Sequence, residues 1–391
     1  MSNSVPEGWY QSKLGVVADL IMGQSPPSNT YNNSRIGLPF FQGKTDFGSH
    51  YPSVRVWCSK PTKVAEKDSI LFSVRAPVGD INIASESCCI GRGLAAIKGT
   101  KVEQAFLYQT FKFVKHRFQL LAQGSTFEAV SGGEMRDFKL ILPPLPEQKK
   151  IAAILTSVDT VIEKTQAQID KLKDLKTGMM QELLTKGIGH TEFKDSPVGR
   201  IPVEWDVVSF QDIATCKPKK FNPSKDDFIY NCVELEHLSQ ETGQIINTTP
   251  TNNVVSIKNI FNVGDILFGK LRPYLKKYAL PDFSGVCSSE IWVFKPKDGI
   301  DNYFLYYNVQ SERFIESANK SCGTKMPRAE LSTVMDTVIV KPPTEEQIKI
   351  GKIIKTIDDS LMTKQDKLSS LRNIKKALMQ DLLTGKVRVK V

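Results

Sequence analysis

A chain of 391 residues, 40% hydrophobic and 24% charged, carries enough apolar material for two or three cores and excludes a disordered polymer. No apolar run approaches the roughly 18–20 residues of a membrane span, and Met1 to Tyr10 lacks the apolar stretch of a signal peptide, so a cytoplasmic protein is expected, with no membrane partner. The net charge of +10 invites an anionic partner; yet Lys and Arg number 18 against 19 Asp and Glu over residues 189–341, compared with 16 against 11 over 1–142. Phosphate contact in the second region must therefore come from local clusters.

In chain order, the stretch from Gly23 to Asn29 is loop-rich, with two prolines and a glycine. Ser69 to Arg75 reads as a strand. Val102 to Ala122 places Phe106, Thr110, Phe113, Val114, Arg117 and Leu121 at helical spacing, and Phe138 to Leu142 is again strand-like. From Ile151 a seven-residue seam runs through Leu155, Val158, Ile162, Thr165, Ile169, Leu172, Lys176, Met179 and Leu183. It is apolar at all but two positions, and Pro146 suits a first helical turn.

Further on, Asp265 to Lys270 reads as a strand, Asn302 to Ser317 as a helix and Thr337 to Val340 as a strand. The last seam comprises Ile350, Ile354, Ile357, Leu361, Lys364, Leu368, Leu371, Lys375, Leu378 and Leu382. It breaks at the same two places as the first. Thr344 followed by Gln347 is read as a capping box, and Gly187 and Gly385 lie where the two helices should stop. Each helix spans roughly 38 residues, about 57 Å long at 1.5 Å per residue.

These matches are parts of one duplication. Pro143 to Ile188 aligns without a gap on Pro342 to Val387 at an offset of 199; Glu147-Gln148 meets Glu346-Gln347, and Asp159 meets Asp358. Pro6, Trp9, Ile70-Leu71-Phe72 and Pro77 meet Pro202, Trp205, Ile266-Leu267-Phe268 and Pro273 at an offset of 196, while Cys88 meets Cys287 at 199. One unit, a globular part followed by a long helix, is written twice. The expected domains are 1–142 and 189–341 (globular), with 143–188 and 342–391 as helical spacers. Two equivalent apolar stripes in one chain are expected to pair, antiparallel if the halves are related by a two-fold axis. The fold class is mixed α/β.

The chemistry of an enzyme is missing from the sequence. Seven scattered cysteines form no Cys-x-x-Cys pair, and His50, His116, His190 and His237 stand too far apart for a helical metal pair, so no metal is expected. Gly264 to Lys270 matches the first seven positions of a phosphate-binding P-loop, but Leu271 occupies the place of the required hydroxyl residue. Ser28, Leu145 and Thr344 follow the three Pro-Pro pairs, so no methyltransferase loop of the Asn- or Asp-Pro-Pro-aromatic kind is present. Pro281-Asp282 with Glu290 resembles part of a nuclease site, yet Trp292 stands where a lysine would be needed.

The segment Leu142-Pro-Pro-Leu-Pro-Glu-Gln148, its counterpart Val340-Lys-Pro-Pro-Thr-Glu-Glu-Gln347, and the stretch from Gly264 to Tyr274 resemble the specificity subunits of type I restriction-modification enzymes. The resemblance covers essentially the whole chain. It implies two target recognition domains joined by two long antiparallel helices in a coiled coil, with each domain reading half of a split, asymmetric double-stranded DNA site. It further implies that the helices set the gap, and that two methyltransferase subunits dock here and methylate adenine N6. The chain itself would be non-catalytic and bind no cofactor; S-adenosylmethionine, ATP and magnesium belong to those subunits and to restriction/translocase subunits. A coiled-coil scaffold that binds only proteins is the alternative, and a self-sufficient DNA enzyme is a third.

Candidate DNA contacts follow from side-chain chemistry. Lys270, Arg272, Tyr274, Lys276 and Lys277 crowd into eight residues, giving cations for phosphate beside an aromatic ring. The first region offers Gln42, Lys44, Arg55, Arg75 and Arg92 on turns, of which Arg and Gln carry base information. Ser125 and Thr126, with Thr324 and Lys325, follow glycines at equivalent places before the last strand.

Overall fold

The computed structural model describes residues 5–123, 128–226, 228–253, 255–320 and 326–390. Two compact units emerge, Met1–Ala167 with Asp366–Val391 and Gln168–Gln365. Each long helix therefore contributes to both units.

In the first unit, an antiparallel sheet of Ala18–Met22, Leu94–Gly99, Ile70–Ser73 and Ile81–Ile83 pairs Leu94 with Ser73 and Ile97 with Ile70. All four residues of Ile70–Ser73 are buried because both faces are covered. Ile70 and Phe72 join the core beneath helix Gln104–Gln123, whereas Leu71 joins a second core with Phe41, Ala65 and Ile90. That second core belongs to a five-stranded sheet, ordered Tyr31–Asn32, Trp57–Cys58, Leu38–Phe41, Cys88–Ile90 and Val64–Ala65. Its central pair is parallel, with Phe40 opposite Cys89 and Phe41 opposite Ile90.

The second unit repeats this plan. Its four-stranded sheet runs Ala214–Thr215, Ile291–Pro296, Ile266–Gly269 and Tyr278–Ala279. Ile266 and Phe268 face one core and Leu267 the other. The five-stranded sheet again contains a parallel pair, Cys232 opposite Val286 and Val233 opposite Cys287. The units differ at sheet edges and in their helices. The single helix expected over Asn302 to Ser317 is two, Asn302–Asn308 and Glu312–Lys320. Ser311 breaks it: its hydroxyl donates to the Asn308 carbonyl at 2.7 Å and accepts from Phe314 N.

The long helices comprise Leu145–Leu183 (39 residues) and Thr344–Leu383 (40 residues). Within the first unit they run antiparallel, since Asp159 meets Lys375 while Gln166 meets Arg372. Within the second they do the same, with Gln168 at Lys364 and Lys176 at Asp358. Seam residues Ile151, Leu155, Ile169, Leu183, Ile350, Ile354, Leu361, Leu368 and Leu382 are buried. Val158, Ile162, Leu172, Met179, Ile357, Leu371 and Leu378 are half-buried. The helix ends also enter the globular cores: Ile151 and Leu155 share one with Leu382 and Leu383, and Leu183 and Leu184 share the other with Ile350 and Ile354.

The seam-breaking lysines have partners. Lys375 pairs with Asp159, which also accepts from Gln109 Nε2 at 2.8 Å and lies 3.7 Å from Lys112. Its equivalent, Lys176, pairs with Asp358 at 2.8 Å, and Tyr307 Oη donates to the same carboxylate at 3.0 Å.

The Glu-Gln pairs are clasps. Glu147, 3% exposed, accepts from Arg388 Nε and an Arg388 terminal nitrogen at 2.8 Å each and from Trp9 Nε1 at 3.2 Å. Glu346 accepts from Trp205 Nε1 and Ile188 N at 2.9 Å and contacts His190 at 2.8 Å. Each thus binds the tryptophan that opens its unit and the chain leaving the other helix. Gln148 donates to the Pro143 carbonyl and accepts from Glu103 N; Gln347 donates to Pro342 and accepts from Asp301 N. The expected Thr344–Gln347 capping box is therefore absent: Gln347 is turned to the core, and the Thr344 hydroxyl donates to the Gly299 carbonyl. Gly187 and Gly385, at φ +71° and +72°, follow the helix ends in the left-handed conformation that glycine tolerates.

Candidate nucleic-acid interface

In each unit the ends of the parallel pair, the central strand of the four-stranded sheet and the segment before the last short helix meet in one junction. In the first, Gly91 N donates to the Phe41 carbonyl, Gly93 N to that of Gln42, and Val74 N to that of Gly93. Arg75 then bridges to Ala129. This backbone path brings Gln42, Arg75 and Arg92 together, all three exposed. Gln42 is held by Ser25, whose hydroxyl lies 2.8 Å from Nε2 and 3.0 Å from Oε1, and the same hydroxyl accepts from Arg92 N.

In the second unit, Ser288 N donates to the Val233 carbonyl, Lys270 N to that of Glu290, and Leu271 bridges to Arg328. Two of the three backbone bonds and the bridge recur, so Glu234 occupies the place of Gln42 and Glu290 that of Gly93; the strand register thus sets Cys287 against Ile90, not against Cys88 as the sequence offset has it. The basic cluster forms a tight turn here: Arg272 (φ +52°) and Lys276 (φ +49°) flank Pro273–Leu275 in left-handed conformation. Such geometry costs a non-glycine residue about 1–3 kcal/mol and concentrates at binding sites. At the corresponding turn of the first unit, the Ala76-Pro77 bond is cis.

The remaining candidates divide by their partners. Lys44 bonds Asp80 at 2.5 Å, and Lys115 binds the other oxygen of that carboxylate. Burial pushes the Asp80 carboxyl up, but these two ammonium groups outweigh it and hold it below its ordinary value. Arg55 Nε bonds Asp46 at 2.6 Å, and Lys277 Nζ donates to the Leu235 carbonyl at 2.7 Å. Lys276 lies 3.5 Å from Glu241. Arg75, Arg92, Lys270, Arg272 and Tyr274 have no side-chain ion pair or hydrogen bond among the described residues, and Tyr274 is 52% exposed. Ser125, Thr126, Thr324 and Lys325 lie outside the described residues, in segments leading to Ala129 and Arg328 of the two junctions.

Sequence reasoning missed Glu234 and Arg328. Arg328 Nε bonds Glu290 at 3.1 Å, so the carboxylate considered for a nuclease is an ion-pair partner at the junction rim. The signal for Glu234 lay in aligning the parallel strands, and these are only three and four residues long. Among the described residues, no group of three or more His, Cys, Asp or Glu could hold a metal ion, and no helix is long and apolar enough to cross a membrane.

The model of the type I restriction modification DNA specificity domain matches residues 6–174 and again 202–372, well over half the chain. The chain therefore belongs to the family of type I restriction-modification DNA-specificity proteins. Among particular relatives, it is 26% identical over 408 residues to the type I restriction enzyme MjaVIII specificity subunit of Methanocaldococcus jannaschii, covering 99% of this chain and 94% of that one. It is 42% identical over 185 residues to the proposed MjaX specificity subunit of the same organism, covering 46% of this chain and only 44% of that protein. The crystal structure of the type I restriction-modification S subunit from M. genitalium superposes with a TM-score of 0.65 at 16% identity, covering 98% of both chains; this likeness concerns the fold.

Proposed function

We propose that the chain is a non-catalytic DNA-specificity subunit that reads a bipartite, asymmetric site. The readers are residues 1–142 and 189–341, and the helical stretches 143–188 and 342–391 are the spacer between half-sites and the dock for two adenine-N6 methyltransferase subunits. Those subunits would use S-adenosylmethionine, and restriction/translocase subunits would bring ATP and magnesium, all within the cytoplasm. The observation that carries this reading is the recurrence of one four-segment junction in both units with different side chains at its rim: Gln42, Arg75 and Arg92 in one, half-buried Glu234 with exposed Arg272 and Arg328 in the other. Two readers of one architecture and two chemistries call for two different half-sites, since phosphate contacts position and base contacts specify.

The test is to express the chain with its methyltransferase partner and map N6-methyladenine across the genome. A split, non-palindromic motif is expected; a continuous motif, or none, overturns the proposal. Inserting a whole number of turns into both helices should lengthen the gap, and an unchanged gap would rule out the spacer role.

A further inference from the structure

Glu234 carries chemistry that its position in the first unit does not. Gln42 and Glu234 each follow the last residue of a strand paired in parallel, next to a backbone amide from the neighbouring turn, Gly91 in one case and Ser288 in the other. An amide both donates and accepts, whereas an ionised carboxylate only accepts. Beneath Glu234 lies Lys258, 4% exposed, and Cys232, fully buried. Lys258 Nζ and Cys232 Sγ both bond Oε1 and Ser288 also hydrogen-bonds the carboxylate, which with about four lone-pair sites can still receive a donor from outside. The Glu234 side chain keeps 27% of its surface in solvent. Its neighbour Leu235 is tied through its carbonyl to Lys277 of the basic turn, which places the carboxylate at the rim of the cations offered to phosphate.

A carboxylate amid cations is poor phosphate-binding design, because it repels the backbone that its neighbours attract. That cost is sensible if the group reads a base. We propose that Glu234 accepts a hydrogen bond from the exocyclic amino group of a cytosine in the major groove, an inference that rests on the DNA-reading function above. Guanine and thymine present only acceptor atoms at that edge, and adenine sets the N7 acceptor beside its amino group; cytosine presents N4–H2 without a neighbouring acceptor. Burial pushes the Glu234 carboxyl up, but the Lys258 contact outweighs it and keeps the group ionised at neutral pH. Gln42, in the equivalent place, has the donor and acceptor pair that matches adenine N6 and N7.

The experiment maps methylated adenines in cells making the methyltransferase with the wild-type chain, with Glu234→Gln or with Gln42→Glu. The wild type should show a cytosine at a fixed position of one half-site. In Glu234→Gln, discrimination for that cytosine should fall roughly 5- to 100-fold while the other half-site and the gap stay unchanged. Gln42→Glu should alter one position of the other half-site alone. An unchanged motif in Glu234→Gln, or a wild-type motif lacking cytosine in the affected half-site, overturns the inference. If Glu234→Gln loses methylation and melts early, Glu234→Gln with Lys258→Met removes the stranded ammonium; retained cytosine preference there, or no recovery of folding, makes Glu234 a structural partner and overturns the inference equally. A wild-type chain without a split motif refutes the underlying function instead, whatever the variants do.

Discussion

Replacing Asp159 by alanine would test why the helical seam tolerates a lysine at the same place in both copies. Asp159 gathers Lys375, Lys112 and Gln109, and the side chains of Asp159, Lys375 and Lys112 retain 19%, 14% and 29% exposure. Removing the carboxylate leaves two ammonium groups facing each other and a donor without its acceptor. Breaking a fully buried pair costs about 3–5 kcal/mol, and the residual exposure reduces this to about 2–3 kcal/mol. For a unit of this size the melting temperature should fall by about 5–10 °C, read by calorimetry on the whole chain. Asp358 is the internal control: one ammonium and the Tyr307 hydroxyl hold it, so Asp358→Ala should cost only about 1–2 kcal/mol. Equal losses, or a loss under about 0.5 kcal/mol for Asp159→Ala, would refute the reasoning. The pH dependence has a definite sign. Burial raises the Asp159 carboxyl, but the bonds from Gln109 and Lys375 and the charges of Lys112 and Lys375 hold it below its ordinary value. Its contribution is therefore complete above the unfolded pKa of about 3.9 and is lost as pH falls through the lower folded value. The difference between wild type and Asp159→Ala should be constant from pH 7 to pH 5 and shrink below about pH 4.

Glu346→Ala strands the Nε1 donor of the fully buried Trp205 and should cost about 1–3 kcal/mol, with Glu346→Gln milder because an amide oxygen still accepts; thermal denaturation separates the two. Gly385→Ala should destabilise by about 1 kcal/mol or more in urea titrations, since its φ is +72° and a Cβ would lie 2.6 Å from Pro6 Cγ. If the two junctions face DNA, Arg75→Ala and Arg272→Ala should each lower duplex affinity and reduce the slope of log K against log salt by about 0.9 for each phosphate contact removed. An unchanged slope in both would exclude these arginines from phosphate binding.

The duplication, the long helices and the central strands were legible because each rests on a period. A seam repeating every seven residues needs only local counting, and so does a run such as Ile70-Leu71-Phe72. The five-stranded sheets were not legible: strands such as Tyr31–Asn32 and Val64–Ala65 are two residues long, and their pairing is set by tertiary contact. The Asn302–Ser317 helix was misread because Thr110 of the first copy sits inside a turn whose counterpart, Val309 to Ser311, is redirected by one hydroxyl. The Glu-Gln pairs were noticed as a repeat but read as a helix start, since nothing in the sequence ties Glu147 to Arg388, 241 positions away. The breaks in the seam were visible at Lys176 and Lys375, and so was the match of Asp159 to Asp358. What linked them was the antiparallel direction, which puts each lysine beside the aspartate of the other helix.

The candidate site was half legible for a related reason. Composition finds clustered cations, so Lys270 to Lys277 stood out, yet the structure shows Lys277 spent on a carbonyl and Lys276 beside Glu241. Under the proposed function a base-reading residue need not be a cation or lie in a cluster, and a strand end beside the junction turn suits it. That place is defined by hydrogen bonds from Gly91 or Ser288, and only by aligning the two junctions does Glu234 fall on Gln42. Duplication constrains the backbone of the junction, because its amides and carbonyls must be paired in both units. It leaves side chains free to change, amide to carboxylate here and Gly93 to Glu290 nearby. The helices kept the lysine–aspartate pair and the clasps kept the tryptophan, while this position changed from amide to carboxylate; under the proposed DNA-reading function, that contrast is what would let the two units read different bases.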